Sequence, residues 1–232
     1  MTSAGQVPVV LRAGPGHIGE LLDRVSGLRE AAHASARRVL IGVTGAPGAG
    51  KSTLTEELAG ALGARGLPTA VVGMDGFHLA QRELRRLGRE HRKGAPDTFD
   101  AHGYVALLHR LRRRPGHTGP GHTVYAPRYV RGGLEEPIGS AVPVHPHVQV
   151  VLTEGNYLLL PQEPWDQVPP VLDEVWYAQP HDTLRRQRLL GRHVAAGKSH
   201  AEALAFTDGS DAANAELVAA TRHRADVLIE WH

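Results

Sequence analysis

A glycine-rich turn between an apolar run and an amphipathic stretch constrains this chain more than any other feature. The turn reads Gly45-Ala46-Pro47-Gly48-Ala49-Gly50-Lys51-Ser52 and matches G-x-x-x-x-G-K-[ST] at every fixed position. The apolar run at 39–43 has the composition of a short buried strand, and apolar residues at helical spacing over 54–62 predict a helix that begins near Lys51. A strand, a tight turn and a helix in this order are typical of a parallel α/β unit.

Further apolar runs extend this pattern along the chain. Short buried strands are predicted at 70–74, 148–153, 172–178 and 227–229. Helical periodicity predicts helices over about 16–37, from 101 after the N-cap Asp100, and over 182–195 and 201–222. Strands alternating with helices indicate an α/β fold with a parallel β-sheet sandwiched by helices.

We interpret residues 1–232 as a single domain. Residues 1–37 are expected to form a helical lead-in. The region from about 80 to 147 is basic and broken by Gly and Pro, so we interpret it as an insertion beside the main sheet.

The glycine-rich turn also predicts a phosphate site of the P-loop type. Glycines let backbone N–H groups point inward around phosphates, and the N-terminus of the following helix adds partial positive charge. Lys51 is predicted to reach the β- and γ-phosphates, and Ser52 to offer its hydroxyl to Mg²⁺. The predicted nucleotide-binding residues are Gly45, Ala46, Pro47, Gly48, Ala49, Gly50, Lys51, Ser52 and Thr53.

Two carboxylates follow predicted strands. Glu154 ends the run at 148–153, and Asp75 ends the run at 70–74. In open parallel sheets ligands bind beyond the carboxyl ends of the strands, so both would face the γ-phosphate if both strands neighbour the P-loop strand. We assign Glu154 to Mg²⁺, and Asp75 to the base that accepts the acceptor hydroxyl's proton and as a second candidate metal ligand.

An arginine face follows Asp182. Arg185, Arg188 and Arg192 stand at i, i+3 and i+7 of a predicted helix. Because phosphoryl transfer spreads negative charge over the equatorial oxygens, Arg188 and Arg192 are candidate catalytic residues. Glycines at 191 and 197 flank a short stretch, so we expect a lid over about 182–199.

Four motifs in order carry a family resemblance. They are the P-loop, Met74-Asp75-Gly76-Phe77-His78, Gly94-Ala95-Pro96-Asp97-Thr98-Phe99-Asp100 and Thr153-Glu154-Gly155-Asn156-Tyr157. With them the chain resembles the phosphoribulokinase/uridine kinase superfamily, and within it the nucleoside/nucleotide kinase branch. The resemblance implies transfer of the γ-phosphoryl group of ATP, with Mg²⁺, to a hydroxyl of a small molecule. It also implies Asp75 as the catalytic aspartate and Glu154 as the Walker-B-like acid.

The resemblance also suggests an acceptor site. Asp97 matches a segment that binds acceptor hydroxyls in uridine kinases, and 125–131 looks like the acceptor-site strand and loop. The candidate acceptor residues are His78, Asp97, Tyr125 and Arg131. Arg188, Arg192 and His193 fall in the region of the family's lid, and 211–214 falls where such kinases approach adenine.

This chain departs from the family at two acceptor positions. Val130 stands where relatives commonly carry Asp, and Ala95 stands where uridine kinases carry His. A nucleoside-, sugar- or pantothenate-like acceptor therefore stays open.

Composition indicates which classes of partner and site the chain lacks. The formal net charge is +2 and aromatic residues are 5%, so interleaved stacking residues for nucleic acid are lacking, and we expect none as a partner. The chain has no Cys, which excludes disulfides and Cys-based metal sites, and His145-Pro-His147 is the closest approach to a metal pair. No apolar run approaches the roughly 20 residues that span a bilayer, and residues 1–10 lack a signal-peptide pattern, so a cytoplasmic protein is expected. A homodimer is left open.

A regulatory GTPase or metallochaperone is the main alternative. Its P-loop resembles residues 42–52, but such proteins read guanine with an Asn-Lys-x-Asp segment. The lysines Lys51, Lys93 and Lys198 all lie outside such a segment.

Overall fold

The computed structural model describes residues 7–14, 16–33, 37–113, 122–130 and 135–231. Its strands are β1 (Val9–Ala13), β2 (Val39–Thr44), β3 (Thr69–Gly73), β4 (Val124–Val130), β5 (Glu136–Val144), β6 (Val150–Glu154), β7 (Glu174–Gln179) and β8 (Val227–Trp231). Its helices are α1 (Gly19–His33), α2 (Lys51–Ala64), α3 (Gln81–Arg86), α4 (Ala101–Arg112), α5 (Asp182–Ala195), α6 (His200–Asp208) and α7 (Ser210–Ala219). None of the helices in these ranges is long and apolar enough to cross a membrane.

A parallel six-stranded sheet forms the centre of the molecule, in the order β1-β8-β7-β2-β6-β3. All residues of β2 are buried, and successive side chains enter opposite layers. Ile41 packs in the layer that contains Leu54 of α2, whereas Leu40 packs in the layer that contains Tyr104 of α4. The expected α/β fold, with a parallel sheet between helical layers, is confirmed.

The strand order changes one expectation about the carboxylates. β2 pairs with β6 and β7, so β3 lies one strand further out, beside β6. We expected the strands before Glu154 and Asp75 both to neighbour the P-loop strand β2. This is correct for β6, which carries Glu154, and wrong for β3, which precedes Asp75. The register nevertheless pairs Gly73 with Glu154, which keeps the ends of β3 and β6 together.

The N-terminal lead-in is not purely helical. Val9–Ala13 forms edge strand β1, which pairs in parallel with β8, and α1 begins at Gly19. Val9-Val10-Leu11 is apolar in sequence, but the run is only three residues long, and Val9 and Val10 are exposed at this edge.

The inserted region contains α3, α4 and an antiparallel hairpin of β4 and β5. Asp100 caps α4 as expected, because its side chain accepts a hydrogen bond from the Gly103 N–H at 2.8 Å. The hairpin crosses the turn after β3 so closely that a Cβ on Gly76 would lie 2.5 Å from the Pro127 carbonyl oxygen. Glycine at 76 thus brings the hairpin against the segment that carries Asp75 and His78. Residues 115–120, where Pro and Gly predict a loop, lie outside the described residues.

Candidate active site

The P-loop follows β2 and is shaped by glycines that no other residue could replace without strain. Gly48 and Gly50 have φ of 80° and 82°, in the left-handed region that favours glycine. A Cβ at Gly48 would lie 2.7 Å from the Arg185 carbonyl oxygen, and one at Gly50 would lie 2.7 Å from the Trp231 indole nitrogen. The loop therefore holds its backbone against α5 and β8, in a concave turn at the N-terminus of α2 that fits a polyanion.

Lys51 is the first residue of α2 and is buried. Its ammonium donates to the carbonyl oxygens of Gly45 at 3.0 Å and Ala46 at 3.1 Å, and to Asn156 Oδ1 at 2.8 Å. These three acceptors are neutral oxygens, and they hold the ammonium inside the loop, where a phosphate would lie.

Ser52 and Glu154 meet at the carboxyl end of β6. The Ser52 hydroxyl donates to Glu154 Oε1 at 3.2 Å. Hydroxyl and carboxylate oxygens are the ligands that Mg²⁺ takes from proteins, so these two residues fit the predicted metal role. Thr53 is exposed beside them on the first turn of α2.

Asp75 lies in the short 3-10 turn Met74–Phe77 that follows β3. It is partly exposed, and its charge reaches the hydroxyl of Tyr157 on the loop after β6. Burial and then the negative charge of Asp75 raise the pKa of Tyr157, so this phenol stays protonated. The Tyr157 hydroxyl donates to the Gly94 carbonyl oxygen. The loop after β6 therefore touches the segment that carries Asp97.

The arginines of α5 separate in the structure. Arg185 binds Asp182 and also donates to the Pro47 carbonyl oxygen at 3.3 Å. Arg188 Nη1 is buried without a hydrogen-bond partner among the described residues, and a Cβ on Gly50 would lie 3.1 Å from it. Because buried donors are nearly always paired, this orphan nitrogen beside the P-loop fits an anionic ligand.

Arg192 lies further along α5 and points to α7. Its guanidinium is 4.0 Å from Asp211 Oδ1, and His193 Nε2 lies 2.7 Å from Asp211 Oδ2. Asp211 and the buried Asn214 stand in α7, where the resemblance placed the approach to adenine. The predicted lid helix is thus attached to α7 in this structure.

On the acceptor side, His78 lies among aromatic rings. Its ring centroid is 4.1 Å from that of Phe99 and 4.7 Å from that of Tyr129, and its Nδ1 is 2.8 Å from the Asp75 carbonyl oxygen. Tyr129 of β4 was not among the predicted site residues. The sequence signal that could have identified Tyr129 is its position within 125–131. Residues 125 and 129 lie on one side of a regular strand, but a bulge between them can change which of the two faces inward. The ladder does shift between Ala126 and Arg128.

The remaining acceptor candidates are less close together. Asp97 is paired with Arg89 at 3.4 Å and with Arg92, and it lines a cavity of about 460 Å³ with Phe99 and Trp165. That volume is within the range of small-molecule sites. Tyr125 is 53% exposed, and Arg131 lies outside the described residues.

The histidine pair does not form a larger cluster. The rings of His145 and His147 stack at 5.6 Å, and Thr123 Oγ1 lies 3.2 Å from His145 Nδ1. Within the described ranges no group of three or more His, Asp or Glu side chains is arranged to hold a metal ion.

Comparison with known proteins places this geometry among kinases. A Schizosaccharomyces pombe protein named "Putative uridine kinase C227.14" is 31% identical over 202 residues, which cover 84% of this chain and 83% of that protein. The crystal structure of a putative fructose transport system kinase from Silicibacter sp. TM1040 is 36% identical, with a TM-score of 0.75, and covers 88% of this chain and 98% of that chain.

Two further matches are weaker, one in sequence identity and the other in the share of the chain that it covers. Phosphoribulokinase from Rhodobacter spheroides shares the fold at a TM-score of 0.57 and 13% identity, over 82% of this chain and 69% of that chain. The family model described as "Methylmalonyl Co-A mutase-associated GTPase MeaB" matches residues 20–78 alone, which is the part with the P-loop. Since the kinase relatives align over most of the chain and the GTPase family over a short part, the chain belongs to the phosphoribulokinase/uridine kinase superfamily of P-loop kinases.

Proposed function

We propose that this protein is an ATP- and Mg²⁺-dependent kinase that transfers the γ-phosphoryl group to a hydroxyl of a nucleoside-, sugar- or pantothenate-like acceptor. One observation carries the proposal. The glycine-shaped P-loop holds a buried lysine and lies against a guanidinium nitrogen of Arg188 that is buried and has no hydrogen-bond partner among the described residues. A polyanion bound in the loop would accept a hydrogen bond from this nitrogen and be attracted by the lysine ammonium.

Different residues of the chain are proposed to bind the phosphates, to stabilise the charge on the transferred group and to hold Mg²⁺. The backbone of 45–52 binds the phosphates, and Lys51 and Arg188 stabilise negative charge as it develops on the transferred group. Ser52 and Glu154 would hold Mg²⁺, with Asp75 as a further candidate ligand. The bound metal would supply charge neutralisation between the phosphates.

Asp75 is the proposed base. Its carboxylate accepts the proton of the acceptor hydroxyl as that oxygen attacks the γ-phosphorus of ATP. The bond from the γ-phosphorus to the β–γ bridging oxygen breaks, so that the alcohol becomes a phosphate ester and ADP leaves. Placement at the end of β3, beside the end of β6, supports this role.

The acceptor is proposed to lie between Asp75 and the hairpin. His78 and Tyr129 offer ring faces and polar atoms there, and the exposed Tyr125 is replaced by Tyr129 in this proposal. Asp97 is proposed to act at the edge of the site, where Arg89 and Arg92 hold its carboxylate. Arg131 stays a proposal from the sequence.

A panel of nucleosides, pantothenate, sugars and sugar phosphates, assayed for ADP release from Mg·ATP, tests the transfer. Lys51→Ala should weaken Mg·ATP binding, because it removes the ammonium from the loop. Asp75→Asn should bind Mg·ATP within about threefold of the wild type and lower transfer by about 10²-fold or more, the size of a lost general base. Equal loss of Mg·ATP affinity in both variants would exclude Asp75 as the base.

A GTPase function is the second candidate, because the matching GTPase family shares residues 20–78. Competition of ATP and GTP for the same site distinguishes the two. The kinase proposal expects ATP to bind and to be consumed faster when an acceptor from the panel is added. Preference for GTP with no acceptor dependence would favour the GTPase.

A further inference from the structure

We propose that Asn156 is a positioning residue that holds the Lys51 ammonium ready for the γ-phosphate. This inference rests on the proposed function. Asn156 follows β6 by two residues, within the segment Thr153-Glu154-Gly155-Asn156-Tyr157.

The contact is short and well oriented. Asn156 Oδ1 accepts from Lys51 Nζ at 2.8 Å, the shortest of the lysine contacts given above. Lysine only donates, so the amide oxygen must face the ammonium and the amide NH₂ must point away. The buried Thr44 hydroxyl donates to the Asn156 carbonyl oxygen at 3.0 Å, which anchors the backbone of Asn156 to the end of β2.

The amide suits this position better than other side chains of similar size. A carboxylate would neutralise Lys51 and compete with phosphate oxygens for its protons. An aliphatic group would remove this acceptor, whereas the Gly45 and Ala46 carbonyl oxygens that also accept from the ammonium belong to the P-loop itself. A neutral acceptor instead directs the ammonium and leaves its charge available.

Nucleotide binding requires the Lys51 ammonium to change its hydrogen-bond partners. To contact a phosphate, Lys51 must exchange at least one of its present acceptors for a phosphate oxygen. The P-loop carbonyls belong to the loop that surrounds the phosphates, whereas Asn156 approaches from β6. Asn156 can therefore stay bound during the exchange and hold the ammonium toward the γ position.

The residues on either side of Asn156 lie toward the proposed metal site and toward the proposed acceptor site. Glu154 accepts from Ser52 at 3.2 Å on the proposed metal side. Tyr157 donates to the Gly94 carbonyl oxygen on the side of the proposed acceptor segment. Asn156 thus stands between the two, on the loop that contacts both.

Calorimetric affinities for Mg·ATP and Mg·ADP test the inference in wild type, Asn156→Ala, Asn156→Asp and the control Gln162→Ala. Gln162 is exposed further along the same loop. We expect Asn156→Ala to lower the ratio of ATP to ADP affinity about tenfold, the effect of one hydrogen bond to a charged group. Asn156→Asp should lower ATP affinity further, since its carboxylate pairs with Lys51. The control should keep the wild-type ratio.

A purely structural role would reduce ATP and ADP affinity by the same factor, and that result would overturn the inference. With that result, wild-type binding of Mg·ATP with ADP release would still leave the proposed function standing. Wild-type protein that binds neither nucleotide would instead remove the proposed function, and the inference with it.

Discussion

At the scale of single residues, Lys51 and Arg188 show two ways to keep a cation beside the P-loop. The ammonium of Lys51 is satisfied by neutral oxygens, whereas Arg188 Nη1 has no partner in the described part of the chain. An unsatisfied buried donor costs about 1–3 kcal/mol of stability. A ligand that accepts from this nitrogen removes that cost.

Arg188→Ala should therefore affect catalysis more than folding. We expect ADP release to fall about 10²–10³-fold, the effect of losing a donor to the charge that develops in phosphoryl transfer. The free energy of unfolding should change by less than about 1 kcal/mol, because the lost guanidinium included an unpaired nitrogen. Steady-state kinetics and urea denaturation measure the two effects.

Arg186→Ala is the matched control on the same helix. Arg186 pairs with Asp208 at the surface, where both side chains are about half exposed. Its removal should leave ADP release within about twofold, since exposed ion pairs contribute little. Equal loss of activity in both variants would argue against a specific role for Arg188.

The arginine face also shows what spacing predicts and what it cannot. Positions i, i+3 and i+7 correctly place Arg185, Arg188 and Arg192 on one helix, α5. Their partners come from other parts of the chain: Pro47 of the P-loop contacts Arg185, and Asp211 of α7 contacts Arg192. Helical spacing contains no information about those contacts.

At the scale of elements, buried Arg38 connects the strand that carries the P-loop to two other segments. Its guanidinium donates to the carbonyl oxygens of Leu111 and Arg113 at the end of α4, and of His145 and Val148 before β6. The side chain is fully buried. It thereby supplies donors to carbonyl oxygens at the end of α4 and between β5 and β6, of which that of His145 also accepts from the Val148 N–H at 3.1 Å.

Arg38→Met should destabilise the fold by at least about 3 kcal/mol, because several buried carbonyl oxygens lose their donor together. Urea denaturation measures the effect. Arg110→Met, at an exposed position of α4, is the control and should change stability by less than about 0.5 kcal/mol. A similar small effect for Arg38→Met would show that the backbone of this region does not depend on the guanidinium.

Buried strands were predictable because burial produces a continuous apolar pattern, and the runs at 39–43 and 148–153 match β2 and β6 closely. The helix at 182–195 also matches α5, although Leu189 is its one buried residue, so continuous burial does not explain that success. Edge strand β1 and hairpin strand β5 were missed, since the apolar run of β1 is only three residues long and Pro, Gly and Ser interrupt the sequence of β5. Strand order was not predictable either, because it depends on crossover connections that periodicity does not encode.

At the scale of the whole molecule, the parallel sheet collects residues distant in sequence at one edge. The ends of β2, β6 and β3 bring together the P-loop, Glu154 and Asp75, and the hairpin adds Tyr129 against His78. Motif order predicted a shared edge for the first three, because parallel strands share a carboxyl edge, but it did not predict that β3 lies beside β6 and not beside β2. Tyr129, Asn156 and Tyr157 required the tertiary arrangement.

The central claim is that the backbone of residues 45–52 binds a nucleoside triphosphate. Titration calorimetry with Mg·ATP on wild type, Gly50→Ala and Gly60→Ala tests it most directly. Gly50 has φ of 82°, and a Cβ there would approach Trp231 and Arg188, whereas a Cβ on Gly60 of α2 meets no atom within 4 Å. We predict that wild type and Gly60→Ala both release heat on binding Mg·ATP. Gly50→Ala should bind Mg·ATP at least about tenfold more weakly. Circular dichroism would verify that Gly50→Ala is folded. Absence of heat from wild type with any purine triphosphate, or unchanged affinity in folded Gly50→Ala, would contradict the account.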